Sequence, residues 1–241
     1  MKKATILLIA ASAGMAALLA ALIIQPYYAY RISEKLGFQT LGIRAVAHGQ
    51  TMRHLNELRA AQDIPVTHVF YGASTIEGLD VRRFGAGAVN HSIGGSTVKD
   101  VLKEWRADPS ALAGRVIVVL SGFNDLARGR SVDDVAADVE NMLALSGGSV
   151  RILIIGVLPV NESRRLGRGA KNETIAALNQ VMRAVCAEHD NCSFADPRDG
   201  PYGFSAPLAK KYDAGDGVHL NAAGYKRLGQ FIEAELAALS E

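Results

Sequence analysis

The sequence predicts an α/β protein of three layers, with a central parallel sheet of about five strands, helices on both faces, and an N-terminal transmembrane helix ahead of it. Three observations predict it. From Val66 to the C-terminus, short apolar runs alternate with stretches of helical periodicity. The runs are mainly apolar at successive positions, as strands are when both faces of a parallel sheet are covered. Ahead of them, Ala4 to Ile24 carries no charge at all.

The elements follow in chain order. Lys2 and Lys3 precede the charge-free stretch, and as a helix it would span about 30 Å, the thickness of a bilayer core. Gln25-Pro26-Tyr27-Tyr28-Ala29-Tyr30 comes next, without a small-x-small cleavage site. Pro26 can stop the helix, and the tyrosines suit a membrane interface. The stretch reads as an uncleaved signal anchor with the domain behind it exported to the periplasm or exterior. A cleaved signal, which would leave a secreted domain, and a buried soluble helix are the alternatives. Lys2 and Lys3 on one side nearly balance Arg31 and Lys35 on the other, so charge does not set the orientation. This divides the chain into an anchor or signal segment (1–30), a linker with an amphipathic helix (31–64) and a main domain (65–241). In the linker, Val46, Met52, Leu55 and Leu58 fall at helical spacing between Ile43 and Ala61, and Pro65 ends the run. That helix either covers part of the core or stands off the membrane.

Strands are expected at Val66–Tyr71, Ala88–His91, Arg115–Leu120, Val150–Ile155 and Cys192–Ala195. Helices are expected at Thr97–Arg106, Val132–Leu145, Glu173–Glu188 and Asn221–Leu239. Ser131 caps the second of these, with Asp133 and Asp134 in its first turn, and Asn221 caps the last.

Composition narrows the function. At 241 residues and 49% hydrophobic, the chain suits one ordinary domain with a sizeable core. A net charge of +2 argues against a nucleic-acid binder. No Cys/His spacing suits zinc, so no metal is expected. Cys186 and Cys192 either close a small disulfide in an oxidising compartment or are two buried apolar side chains. There is no internal repeat.

In open parallel sheets ligands sit outside the carboxyl ends of the strands, so the residues just after each strand matter most. After the first come Gly72-Ala73-Ser74, where a serine can point its hydroxyl out of the sheet. After the second, Asn90 to Thr97 includes Gly94 and Gly95, which let backbone N–H groups approach an oxyanion. After the third, Gly122-Phe123-Asn124-Asp125 offers a side-chain amide. Before the last helix, Asp216 and His219 lie three apart, so one turn brings carboxylate to imidazole. Taken singly these are a turn serine, a glycine turn, a loop pair and a common Asp-x-x-His. Together they supply nucleophile, base, orienting carboxylate and oxyanion donors at one rim.

These four segments, in this order, resemble the blocks of the SGNH hydrolases, also called GDSL esterases and lipases. The resemblance runs from about Val66 to the C-terminus and implies the flavodoxin-like SGNH fold. It implies Ser74 as nucleophile, His219 as general base and Asp216 as its orienting partner. The oxyanion donors would be the N–H of Ser74, the N–H of Gly95 and the side chain of Asn124, with no cofactor. Asp125 reads as structural, holding the Asn124 loop. Ala73 departs from the pattern, standing where the family usually has Asp, and Thr75 replaces the usual Leu. The implied activity is a serine esterase on short acyl esters, the partner being an acyl-ester small molecule, a lipid or an acylated glycan. The rivals are an O-acyltransferase acting on a cell-envelope glycan and a non-catalytic domain that binds glycan or lipid. The loops at 161–171 and 199–211 would line the pocket. The first carries Arg164, Arg165, Arg168 and Lys171, either a solvated surface or a receptor for an acidic polymer or lipid headgroup.

Overall fold

A computed structural model describes residues 12–17, 32, 41–60, 65–107, 116–146 and 150–239. The chain forms two compact units, Met1–Leu55 and Asn56–Glu241. The expected membrane span falls outside the described residues apart from 12–17, which are helical. Among the described residues no helix is long and apolar enough to cross a membrane.

Helix α1 covers Leu41–Ala60, close to the expected range. Its apolar stripe is not buried: Val46, Leu55 and Leu58 are 47%, 38% and 51% exposed. Among its described residues, those buried are small or polar: Ala47, Gly49 and Asn56. Helical spacing marks a face that wants cover without saying what covers it.

In the second unit, strand and helix alternate as the apolar runs predict. The order is β1 (His68–Gly72), α2 (Ser74–Glu77), a 3₁₀ turn (Val81–Phe84), β2 (Ala88–Asn90), α3 (Val98–Ala107), β3 (Val116–Leu120), α4 (Phe123–Ala127) and α5 (Val132–Leu145). Then follow β4 (Arg151–Ile155), α6 (Asn172–Ala187), β5 (Cys192–Ala195) and α7 (Ala222–Ala238). Ser131 caps α5, its side chain accepting from the Asp134 N–H, and Asn221 caps α7 by accepting from Gly224. The five strands are parallel, in the order β2-β1-β3-β4-β5. The chain moves outward from β1 to β2 and then crosses back to β3, so the direction of winding reverses between β1 and β3. A crevice opens at such a point, beyond the carboxyl ends of the strands. Gly72 pairs with Leu120, which ends the two strands level and sets their following loops side by side.

Both faces of the sheet are buried, and successive strand residues divide between them. Val69, Tyr71, Ile117, Val119, Ile152 and Ile154 pack with α3, α5 and α6. Phe70, Val118, Leu120, Leu153 and Ile155 face the other way, toward Leu228, Phe231 and Ile232 of α7. The result is the expected three-layer α/β/α arrangement. Cys186, near the end of α6, is joined to Cys192, at the start of β5, by a disulfide.

Candidate active site

Strand β1 delivers the chain to Ala73, whose backbone is extended and whose short side chain gives α2 no cap. Ser74 is the first residue of that helix. Its Oγ lies 2.9 Å from His219 Nε2, across 145 residues of sequence. His219 Nδ1 lies 2.6 Å from Asp216 Oδ2. A carboxylate can only accept there, so Nδ1 carries the proton and Nε2 is left to accept from the serine hydroxyl.

Asp216 acts twice. While Oδ2 holds the ring, Oδ1 accepts from the backbone N–H groups of Val218 and His219, both at 2.9 Å. Burial pushes its carboxyl up, but the hydrogen bonds from the His219 ring and from these two N–H groups outweigh it. The group settles below its ordinary range and stays a charged acceptor.

The turn that carries these residues is shaped by Asp213, a residue outside the set expected from the sequence. Its buried carboxylate accepts from Gly215 N–H at 2.7 Å and Gly217 N–H at 3.0 Å. An Asp two residues before a glycine is the available signal, and its reach along the backbone is what the turn uses. Gly217 adopts φ +92°, and a Cβ there would meet Asn161 O at 2.5 Å. The loop after β4 presses on this turn: Asn161 N–H donates to Gly217 O, and Leu166 and Gly167 N–H groups donate to Asp216 O.

The expected oxyanion donors sit on two neighbouring loops. Asn124 lies in α4, and its Nδ2 donates to Ser96 O at 3.0 Å, which uses one of its two N–H bonds. Gly95 has φ +84°, a left-handed backbone that favours glycine. Its carbonyl receives Arg128 Nη2 at 2.7 Å. The glycine loop is thus tied at successive carbonyls to one turn of chain after β3. Asp125 is fully buried, accepting from the Val98 N–H at 2.9 Å and from Arg130 at 2.6 Å. It joins the start of α3 to α4, the structural part expected of it.

Support for the serine turn comes from Asn90 rather than from an aspartate at position 73. Its Nδ2 donates to Ile76 O at 2.7 Å and to Leu79 O at 3.3 Å, and its Oδ1 accepts from the Ser92 N–H. A cleft of about 270 Å³ is lined by Ser74, Asn124, His219, Phe123, Arg165 and Val218 among others. Gly95 is not among its lining residues. A larger cavity, about 650 Å³, opens at the amino ends of the strands beside His68, Val116 and Arg151. That is the end opposite to where such sheets place ligands.

The sequence pattern of the GDSL-like lipase/acylhydrolase family matches residues 71–227, and the chain belongs to that family. It is therefore an ester-hydrolysing enzyme by class. No curated protein matches the chain. Among solved structures, a Streptococcus pneumonia protein described as a candidate platelet activating factor superposes with a TM-score of 0.72 at 23% identity, covering 84% of this chain and 99% of that one. A GDSL-like lipase from Bacteroides thetaiotaomicron gives 0.64 at 22% identity, over 78% of this chain and 98% of the other. A catalytic mutant of an acetylxylan esterase from Geobacillus stearothermophilus gives 0.55 at 18% identity, over 72% and 96%. At these identities the likeness is one of fold.

Proposed function

We propose that the protein is a serine esterase that hydrolyses short acyl esters through Ser74, His219 and Asp216. The observation that carries this reading is the 2.9 Å approach of Ser74 Oγ to His219 Nε2, with the imidazole already held by Asp216.

The reaction follows from the hydrogen-bond order. Ser74 Oγ attacks the acyl carbon as His219 Nε2 takes its proton. Asp216 stabilises the imidazolium that forms. The oxyanion is met by the N–H of Ser74, the N–H of Gly95 and the remaining N–H of the Asn124 amide, and each such donor is worth about 3 kcal/mol in the transition state. Collapse breaks the bond to the alcohol, which leaves with the proton from His219. Water then attacks the acyl-serine by the same proton route in reverse. The chemistry needs no metal or organic cofactor. A cleft of about 270 Å³ suits a short acyl group, an acetyl ester of a small alcohol or glycan above all.

The same reading places the catalytic unit outside the cytoplasm, held to the membrane through the segment Ala4 to Ile24. The Cys186–Cys192 disulfide supports export, because such bonds persist in oxidising compartments.

Ser74→Ala tests the reading. Hydrolysis of 4-nitrophenyl acetate should fall by about 10⁴-fold or more, while the variant's thermal unfolding stays close to that of the native chain. A folded variant that keeps its activity refutes the assignment.

A further inference from the structure

We propose that the cleft takes an acyl ester whose alcohol portion carries an anionic group, a carboxylate or a phosphate, and that Arg165 reads that charge. The inference rests on the esterase reading above. Arg165 lines the same cleft as Ser74 and His219.

Elsewhere several arginines are held by a partner: Arg82, Arg83, Arg130 and Arg198 pair with carboxylates, and Arg151 and Arg227 donate to backbone carbonyls. The loop that carries Arg165 differs. Among the described residues no carboxylate lies within ion-pair distance of Arg164, Arg165 or Arg168, and all three are exposed. A solvated arginine on a drifting loop would mean little. The backbone here is bolted down: Leu166 and Gly167 N–H groups donate to Asp216 O at 3.1 and 3.3 Å, and Asn161 N–H to Gly217 O at 2.8 Å. The base of the Arg165 side chain therefore keeps a fixed spacing from the segment that carries His219.

The guanidinium fork fits two oxygens of a carboxylate or phosphate at once. Arg164, Arg168 and Lys171 stand close to it in sequence and add positive charge to this segment. An acetyl group has no place for a charge, so the anion belongs to the alcohol side of the ester.

The test compares 4-acetoxybenzoate with methyl 4-acetoxybenzoate. The two share one acetyl ester and differ in charge, and phenol release is measured for each. Relative to their uncatalysed rates, the native chain should favour the anion. Arg165→Ala should lower the anion-to-neutral ratio of kcat/KM about five-fold. Arg168→Ala, outside the cleft lining, should lower it less, and added salt should erode the preference. No preference in the native chain, or an equal loss in Arg168→Ala, overturns the proposal. The esterase reading fails separately: Ser74→Ala would hydrolyse both esters at the native rate.

Discussion

At the residue scale, the site depends on a few hydrogen bonds that join distant segments. Arg128 is the clearest case, an exposed side chain whose guanidinium holds the carbonyl of Gly95 at 2.7 Å. It touches no substrate in the proposed reaction and acts through the glycine loop. Arg128→Ala should lower kcat about five-fold, the value of one hydrogen bond to a charged group at an exposed site, with KM little changed. Arg128→Lys should recover part of the loss, and steady-state kinetics on 4-nitrophenyl acetate would show both. A purely structural role would instead appear as a fall in thermal stability with kcat intact. Ser74, Asn124, Asp216 and His219 were legible because each stands at a strand end or in a short local pattern. Asn90, Asp213 and Arg128 were not assigned roles, since their work is visible only beside their partners. Asn90 reaches Ile76 across 14 residues and Arg128 reaches Gly95 across 33.

At the element scale, every strand and long helix expected in the second unit is present, with ends displaced by at most a residue or two. Strand β5 spans Cys192–Ala195 and α5 spans Val132–Leu145, as their apolar runs and the Ser131 cap indicate. The short helices α2 and α4 have no signal in the sequence. Each is too brief to show a period, and neither Ala73 nor Gly122 has a side chain that caps. They form because the chain must turn sharply on leaving β1 and β3. Buried strands hold this frame. Ile154, in β4, is 2% exposed and packs in the cluster beneath α5 and α6. Ile154→Ala should cost about 3 kcal/mol through lost burial and the cavity left behind. Thermal denaturation should register that as a drop of roughly 10 °C. A change of only one or two degrees would show that this layer can collapse onto the gap.

At the scale of the whole molecule, acid stability follows from how carboxylates are held. Asp196, just beyond β5, is pushed up by burial, but the paired hydrogen bonds of Arg198 and the nearby Arg183 bring it below its ordinary value of 3.8. Asp216 is lowered in the same way. A carboxylate lowered by folding binds its proton more readily in the unfolded chain. Its contribution is therefore complete above the unfolded pKa and is lost as the pH falls through the lower, folded value. Asp125 and Glu235, raised by burial, act in the opposite sense. The informative quantity is the difference between the native chain and Asp196→Asn. The variant should be less stable at neutral pH, and the gap should narrow as the pH falls below about 4. A gap that persists unchanged at low pH would show that Asp196 acts by packing alone.

By itself the sequence determined the period of each element, the parallel sheet those elements require, and the residue types standing at the carboxyl ends of its strands. Such features are local, and physical chemistry acts on them within a few residues. That Ser74 and His219 meet across 145 residues is set by the folding of the whole sheet. Tertiary structure also decides that Asn90 supports the serine turn in place of an aspartate, and that the arginine loop is fastened to the turn carrying Asp216. Those contacts depend on strand order and register, which arise from the packing of both faces of the sheet together.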